Sequence, residues 1–307
     1  MKFKRIKKSK RYIWKTLILA AGLITCSAGA TANETETAAE TEYVTEAVKE
    51  KEQNTELYNL LMIGTDHRDD SWNGNSDVMI LATINKDEQK IVMTSFMRDL
   101  YADIPGHGVH KLNYAYAVGG GEKLEETLEN NYQIEIDNYA VVDFETMAEI
   151  INAIGGVEME ISDAECEVLN GYLNSMNAQS DYLPCGGSYT LNGNQAVAYM
   201  RIRYVGNNDY QRTQRQRDVL KAIFASAGDL GISELGAIAK EVLLNVEHNI
   251  DIWKIWELLG MLSDMTSYEL SEDRIPYDDL YYSQNEMLVP DFEQTIQRLH
   301  ENLGMGE

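Results

Sequence analysis

The feature that most restricts the fold is a regular alternation of short apolar runs and helix-like segments from residue 57 onward. The apolar runs include Leu60–Ile63, Val78–Ile84 and Lys90–Phe96, which are separated by polar or glycine-containing turns. Helical spacing appears further along the chain, as in Phe144–Ile154 and Phe292–Leu303. Strands and helices that alternate in this way are typical of an α/β protein. We therefore predict a central sheet covered by helices on both faces.

The first 33 residues predict a targeting segment. Eight of the 26 Lys and Arg residues fall in the first fifteen positions, and an uncharged stretch from Thr16 to Asn33 follows them. Because basic residues before an apolar stretch stay in the cytoplasm, the rest of the chain is expected outside the cell membrane. The favoured interpretation is a retained single-pass anchor with an extracellular body (type II). The alternatives are a cleaved signal ending near Ala28-Gly29-Ala30, which would release a secreted form, and a lipoprotein site at Cys26.

Residues 34–56 predict a solvated acidic linker, and residues 57–307 predict one extracellular domain. The linker is built from Glu, Thr and Ala and offers too little apolar surface to offset the entropy of ordering. The whole chain carries a net charge of −24, and beyond the basic tip 18 basic residues stand against 50 acidic ones. Such a body repels nucleic acid, so an anionic substrate must meet a local cluster of cations.

Three charged side chains are predicted at one edge of the sheet. Asp66 follows the first apolar strand, Asp77 precedes the second, and Arg98 follows the third. Ligands of α/β proteins bind at such strand ends. Two carboxylates without His suit Mg²⁺, with Mn²⁺ as the alternative, and Mg²⁺ usually shares its ligands with substrate phosphate. The alternative roles are turn capping by the two aspartates and a surface pair between Arg98 and Asp99.

The strongest local signal is a cluster of arginines in an otherwise acidic body. Five arginines fall between residues 201 and 217: Arg201, Arg203, Arg212, Arg215 and Arg217. On a helix, Asp209, Arg212 and Gln216 would share one face, at positions i, i+3 and i+7. Guanidinium groups bind phosphate oxygens through paired hydrogen bonds. Together with Arg98 and the two aspartates, this pattern favours a pyrophosphate site over a solvated basic helix.

Two cysteines lie in the predicted body, Cys166 and Cys185. A disulfide between them would close a short loop and contribute roughly 3 kcal/mol. Two unpaired thiols are the alternative, and two cysteines alone do not decide between them. The chain has no CxxC pattern and its histidines are scattered, which argues against zinc.

Six segments in a fixed order carry a family resemblance. They read GTDHR, NSDVMILATIN, SFMRD, KLNYAYAVGG, LNGNQAVAYMRIR and DYQRTQRQ, and the similarity continues to MLVPDFEQTIQRLHENL near the C-terminus. The chain resembles the LytR–CpsA–Psr family of cell-wall ligases over essentially the whole body. The resemblance implies an α-β-α sandwich with a polyprenyl tail in a hydrophobic pocket. It also implies transfer of a glycopolymer phosphate from a polyprenyl-pyrophosphate carrier to peptidoglycan, as in teichoic acid or capsule attachment in Gram-positive cells.

The resemblance also implies roles for individual residues. Asp66 and Asp77 match metal-binding acids, and Asp209 matches an acid that positions or activates a reacting group. Arg98, Arg201, Arg203, Arg212 and Gln216 match pyrophosphate contacts, and Arg68 and Lys111 match further polar positions. Together with Arg215 of the arginine cluster, these are the residues expected to contact the pyrophosphate, and Asp66, Arg98 and Asp209 are the predicted catalytic residues. Two positions depart from the family pattern: Asn75 stands where Arg is common, and Met97 stands where Pro usually precedes Arg-Asp. Loss of an Arg at position 75 leaves two alternatives open, a non-catalytic lipid-pyrophosphate binding protein and a hydrolase of the same bond.

Overall fold

The computed structural model describes residues 57–65, 74–206 and 208–305. The predicted membrane segment (1–33) and acidic linker (34–56) lie outside the described residues, as does the segment 66–73. The described strands are β1 (Leu57–Thr65), β2 (Ser76–Asn85), β3 (Lys90–Phe96), β4 (Tyr101–Ile104), β5 (Gly108–Lys111), β6 (Asn138–Asp143), β7 (Val157–Ile161), β8 (Gly187–Leu191), β9 (Glu247–His248), β10 (Glu269–Ile275), β11 (Tyr281–Gln284) and β12 (Met287–Pro290).

Helices connect these strands and cover the sheet. They are α1 (Asn113–Tyr132), α2 (Phe144–Ala153), α3 (Asp163–Ser175), α4 (Gly193–Met200), α5 (Asn208–Gly228), α6 (Ile232–Asn245), α7 (Ile252–Met265) and α8 (Phe292–Leu303), with a 3₁₀ turn at Gln179–Asp181. Helix α1 is kinked at Gly119 and Gly120, and Gly120 takes a φ of 67° that favours glycine. Among the described residues, no helix is both long and apolar enough to cross a bilayer.

The central sheet is mixed, with six strands in the order β10-β3-β2-β1-β6-β9. The hairpins β1-β2 and β2-β3 are antiparallel, whereas β6 runs parallel to β1 and β10 runs parallel to β3. The antiparallel register pairs Thr65 at the end of β1 with Ser76 at the start of β2. This pairing brings the residues before Asp66 and Asp77 side by side at one edge of the sheet.

Helices pack against both faces of this sheet because its strands alternate their apolar side chains between the two faces. Leu61 and Ile63 of β1 belong to a core that includes residues of α1 and α8. Tyr58 of the same strand lies on the opposite face, in a cluster completed by residues of α5 and α7. The prediction of a mixed α/β fold with a central sheet between helices is confirmed.

A second core lies beside the sheet and is formed by α2 to α4 with β7 and β8. Helix α3 begins at a capping box, in which Ser162 accepts from the Glu165 amide and Glu165 accepts from the Ser162 amide. Buried Cys166 and exposed Cys185 are free thiols in this structure. The disulfide between them, which the sequence allows, is therefore not formed here and stays a prediction.

Gly193 gives a test of how closely α4 packs on α2. A Cβ atom added at Gly193 would lie 2.1 Å from the backbone oxygen of Ala148, whereas one added at Gly171 in α3 would meet nothing within 4 Å. We expect Gly193→Ala to lower the free energy of unfolding by about 1–3 kcal/mol through overpacking. The matched control Gly171→Ala should raise it by about 0.5–1 kcal/mol. Urea titrations measure both changes, and equal effects of the two substitutions would contradict the packing described.

Candidate functional site

A cluster of charged side chains lies where β2 begins, β3 ends and α5 begins. Asp77 is the second residue of β2, Arg98 follows β3 by two residues, and Asp209 and Arg212 occupy the first turns of α5. The loop between α4 and α5 supplies Arg203. The sequence predicted Asp77 and Arg98 at one edge of the sheet and joined them to the arginine cluster in one pyrophosphate site, and the structure brings all five residues together.

Asp77 is surrounded by three guanidinium groups. Arg98 donates from Nη1 to Asp77 Oδ1 at 2.9 Å, while the nearest nitrogens of Arg203 and Arg212 are each 3.8 Å from the same oxygen. Only the first of these distances is a hydrogen bond. Two of the three arginines are therefore close enough to attract the carboxylate but keep donors free for other oxygens.

The same three arginines also surround Asp209, but none of them makes a hydrogen bond to its carboxylate. The carboxylate of Asp209 is 3.7 Å from Arg98, 3.9 Å from Arg203 and 3.5 Å from Arg212. Three buried atoms in this group have no hydrogen-bond partner: Arg98 Nε, Arg212 Nε and Asp209 Oδ1. Buried donors without a partner are costly, so this arrangement fits a site in which a bound anion accepts hydrogen bonds from them.

The pKa values of Arg98 and Arg212 shift in opposite directions. Burial alone would lower the pKa of Arg98, but the hydrogen bond to Asp77 and the nearby carboxylate charges outweigh it and raise that pKa. For Arg212, burial and the charges of Arg203 and Arg98 dominate and lower the pKa to about 10. Arg212 stays charged at neutral pH, but the charges of Asp77 and Asp209 do not fully offset its burial and the two neighbouring guanidinium groups. A bound phosphate group would add negative charge beside it.

A pocket of about 240 Å³ opens over this cluster. Asp77, Arg203, Arg212 and Gln216 form its charged and polar wall, and Gln216 and Arg212 are almost fully buried. Arg201 forms the opposite side, where its guanidinium lies 5.0 Å from the ring centre of Phe144 and 5.2 Å from that of Tyr172. Stacking between two aromatic rings holds this guanidinium in place without neutralising its charge.

A wider groove of about 700 Å³ continues from this pocket past Phe144 and Arg201. Its lining is supplied by α2, the C-terminal end of α3 and the start of α4. The lining residues combine carboxylates, amides and small apolar groups, and they include Glu145, Glu149, Asn152, Ser175, Met176 and Asn194. Both glutamates are exposed. This mixture can hydrogen-bond the hydroxyl groups of a glycan, and its negative charge disfavours a polyanion.

An apolar cavity of about 310 Å³ lies on the face of the sheet that carries Tyr58, between the sheet and helices α5 and α7. It is lined almost entirely by hydrocarbon, including Leu60 and Met62 of β1, Ala82 and Ile84 of β2, and Leu220, Ile223, Phe224 and Ala227 of α5. Helix α5 thus carries polar residues to the charged pocket and apolar residues to the cavity. Sequence reasoning did not identify these residues, because a cavity lining and an ordinary core show the same apolar periodicity.

Two predicted anion contacts act differently in the structure. Arg215 turns away from the pocket: it donates to Glu165 at 2.9 Å and to the backbone oxygens of Ile202 and Val205 at 3.2 and 3.0 Å. It therefore braces the loop that carries Arg203. Lys111 pairs with Asp99 at 2.8 Å, and Asp99 lies 3.6 Å from Arg98, so Lys111 stands behind the cluster.

The predicted metal ligands are only partly within the described residues. Asp66 and the predicted anion contact Arg68 lie outside them, whereas Asp77 lies in the cluster. No group of three or more His, Cys, Asp or Glu side chains that could hold a metal occurs within residues 57–65, 74–206 and 208–305. The donor chemistry still fits Mg²⁺, which is usually held by one or two carboxylates together with substrate phosphate.

Fold and site together define an α/β protein with an arginine-rich anion pocket beside an apolar cavity. The profile of the LytR_cpsA_psr family matches residues 23–303. The chain belongs to this family, which confirms the resemblance seen in the motifs.

Individual relatives agree with this assignment. The chain is 30% identical over 232 residues to the Polyisoprenyl-teichoic acid--peptidoglycan teichoic acid transferase TagU of Halalkalibacterium halodurans, covering 73% of each protein. It is 34% identical over 224 residues to the protein of the same name from Enterococcus faecalis, covering 72% of this chain and 64% of that one. A solved structure of the LytR-CPS2A-psr family protein TagT with bound octaprenyl pyrophosphate lipid superposes with a TM-score of 0.62 at 25% identity, over 81% of this chain and 89% of that chain.

Proposed function

We propose that this protein is a phosphotransferase that moves a glycopolymer phosphate from a polyprenyl-pyrophosphate carrier to peptidoglycan. One observation carries the proposal: α5 presents Arg212 and Gln216 to an anion pocket and, two turns on, apolar side chains to a cavity. A pyrophosphate joined to a hydrocarbon chain has this succession of charge and apolar surface. The names of the TagU relatives and the octaprenyl pyrophosphate bound to TagT support the same ligand class.

The chemistry of the pocket suits pyrophosphate in particular. Arg98, Arg203 and Arg212 have donors left over after their contacts with Asp77 and Asp209, and Arg201 adds a fourth guanidinium. Phosphoryl transfer relies on positioning and on neutralising charge that builds up on the phosphate oxygens. We assign the arginines to that task, with Gln216 as a neutral donor.

Mg²⁺ is the proposed cofactor, with Mn²⁺ as the alternative. Asp77 would hold it together with Asp66, whose neighbour Thr65 is paired with Ser76 beside Asp77. The ion would supply further neutralisation of charge on the pyrophosphate oxygens. These carboxylates would otherwise repel the substrate.

In the proposed reaction a hydroxyl group of peptidoglycan attacks the sugar-side phosphorus. A new O–P bond forms, the P–O bond to the second phosphate breaks, and polyprenyl phosphate leaves with the electron pair. Asp209 is the proposed residue that orients the hydroxyl and accepts its proton, since its Oδ1 is buried beside the arginines without a hydrogen-bond partner. The acidic groove beyond Arg201 would receive the acceptor glycan, because its glutamates disfavour an anionic donor polymer.

Two other functions use the same pocket. A hydrolase would use water as the acceptor, and a binding protein would hold the lipid without turnover. Asn75, where the family commonly has Arg, favours these alternatives by removing one phosphate donor, but Arg98, Arg203 and Arg212 remain. In the proposal the body works at the outer face of the cell membrane, held there by the predicted anchor in residues 1–33.

The proposal is tested by transfer with the full-length chain in detergent. A polyprenyl-pyrophosphate glycan and uncrosslinked peptidoglycan strands are the substrates, and glycan joined to the strands is measured with and without Mg²⁺. We expect metal-dependent joining that falls by at least about a hundredfold in Asp77→Asn, since the loss removes a metal ligand. The control is Asp279→Asn, which removes an exposed ion pair with Arg298 outside the pocket. This variant should keep full activity. Binding of the lipid without turnover in the presence of either Mg²⁺ or Mn²⁺ would refute the transferase.

The apolar cavity predicts a dependence on the length of the lipid tail. Ala82 lines the cavity from β2, so Ala82→Val and Ala82→Phe should fill it progressively without disturbing the buried side chains on the other face of the strand. Each displaced methylene costs about 0.8 kcal/mol, so displacing two raises KM for a long-chain donor by roughly tenfold. Donors with short tails should be affected less. An equal rise for all tail lengths would place the tail outside this cavity.

A further inference from the structure

Helix α7 is apolar on two opposite faces. Its inner face carries Leu258, Met261 and Met265 toward the sheet, where Leu258 and Met265 line the apolar cavity. Its outer face exposes Ile252, Trp253 and Trp256, with 57%, 78% and 54% of their surfaces open to solvent. A helix in a globular protein normally has one apolar face, which packs against the core. Large aromatic groups this exposed, side by side, mark an interaction surface.

The charged side chains of α7 nearest to these three residues are paired or act as a cap. Lys86 and Lys254 both pair with Glu257, at 3.0 and 2.7 Å, and Asp251 caps the start of the helix by accepting from the Trp253 amide. Lys86, Lys254, Glu257 and Asp251 thus contribute two positive and two negative charges, in a chain whose net charge is −24. Most of this acidic surface would be repelled by an anionic membrane, whereas this patch would not.

We infer that Ile252, Trp253 and Trp256 form a membrane-contact patch that inserts into the bilayer surface, on the helix whose other face lines the lipid cavity. The inference rests on the proposed function, in which the cavity holds a polyprenyl tail. Such a tail resides in the bilayer and must pass from there into the cavity. Tryptophan is the side chain that best fits the interface between headgroups and acyl chains, and the same helix lines the cavity from its other face.

The start of β1 and helix α7 meet beside the apolar cavity. Tyr58, the second residue of β1, lines the cavity, and Lys254 of α7 lies 5.0 Å above its ring. A second copy of the chain would need no cavity behind its contact surface, so we favour the bilayer.

Quenching of tryptophan fluorescence by brominated lipid acyl chains tests the patch in the full-length chain. Trp14→Phe and Trp72→Phe leave Trp253 and Trp256 as the only reporters among the four tryptophans. The protein is reconstituted in phosphatidylcholine vesicles that contain no polyprenyl lipid. The matched reporter replaces all four tryptophans with Phe and carries Tyr282→Trp, at an exposed aromatic position on β11. We expect brominated chains to quench the patch at least about twofold more than the Tyr282→Trp reporter.

Two results would overturn the patch. Equal quenching of the two reporters, with both open to aqueous iodide, means that the face lies in water. Shielding from iodide without quenching by brominated lipid means that protein covers it, either a second copy or residues 1–56. Because the vesicles hold no substrate, this outcome is independent of whether the protein is a transferase.

A kinetic test separates the patch from the active site. Trp253→Ser with Trp256→Ser should lower transfer from a vesicle-borne donor by roughly tenfold, since each exposed tryptophan loses its apolar contact with lipid. Transfer from the same donor in detergent should be unchanged. Equal losses in vesicles and detergent would assign the two tryptophans to folding or catalysis and overturn the membrane role.

Discussion

Arg98→Ala should lower kcat/KM for glycan transfer by about a thousandfold, which is the scale expected when a donor to a charged transition state is lost. Arg98 is the arginine that hydrogen-bonds Asp77, and it also lies within 4 Å of Asp209 and Asp99. Its removal therefore takes away a phosphate contact and leaves three carboxylates to repel the substrate. Arg98→Lys should recover only part of the activity, because a point charge cannot replace the planar fork of the guanidinium.

The control for this substitution is Arg298→Ala. Arg298 of α8 makes a two-pronged pair with Asp279, but this pair is largely exposed and lies outside the site. Exposed pairs contribute little, so Arg298→Ala should leave transfer unchanged and stability within about 1 kcal/mol. Steady-state transfer rates and thermal unfolding of all three variants make the comparison. Equal activity of the Arg98→Ala and Arg298→Ala proteins would remove Arg98 from the site.

Arg215→Met should produce the largest loss of stability, about 3–5 kcal/mol in the free energy of unfolding. Arg215 and Glu165 form an ion pair at 2.9 Å with only 5% and 15% of their side chains exposed, and removal of one partner leaves the other as an uncompensated buried charge. The substitution also frees the Ile202 and Val205 oxygens and loosens the loop of Arg203. KM for the donor should rise accordingly.

The pH dependence of stability provides a second readout for this pair. Burial alone would raise the pKa of Glu165, but hydrogen bonds from Ser162 and Arg215 outweigh it and lower the pKa below its usual 4.5. A depressed pKa gives stability that is present above pH 4.5 and is lost as the pH falls through the folded-state pKa. Part of this acid sensitivity should disappear in Arg215→Met. In a double-mutant cycle Glu165→Gln is the suitable partner, since Gln preserves the capping box.

The opposite result for Arg215 is equally informative. If Arg215→Met unfolds like the unmodified protein but binds the donor poorly, the pyrophosphate contact predicted from the sequence is right and the bracing role is wrong. Urea titrations and donor binding on the same preparation distinguish the two.

The face of α5 that carries the site was predictable from helical geometry, although the interpretation of the sequence also placed Arg215 in the site. Asp209, Arg212 and Gln216 follow the helical repeat, and the structure places them together over the strand ends. Arg215 was grouped with them because it is near in sequence. At about 100° per residue it stands roughly 120° around the helix from Asp209, toward the second core. Helical geometry alone could have separated these arginines.

The interpretation of the sequence did not identify β10, α3 or the apolar cavity, and the physical reason differs for each of them. Strand β10, at the edge of the sheet, has only two apolar residues among seven and buries fully only Ile275, so its sequence lacks the apolar run of the central strands. Helix α3 had a usable signal, the Ser162–Glu165 capping box, which the interpretation of the sequence did not use. The apolar cavity had none, because its existence depends on how α5 and α7 are spaced from the sheet rather than on residue type.

The fate of the sugar-side phosphorus tests the central claim most directly. A polyprenyl-pyrophosphate glycan labelled at that phosphorus is incubated with the full-length protein, Mg²⁺ and uncrosslinked peptidoglycan strands. The account predicts that the label appears in a phosphodiester on the strands, while unlabelled polyprenyl phosphate is released. Label in a free sugar phosphate would show a hydrolase, and label that stays in the lipid would show a binding protein. Either result would contradict the transferase.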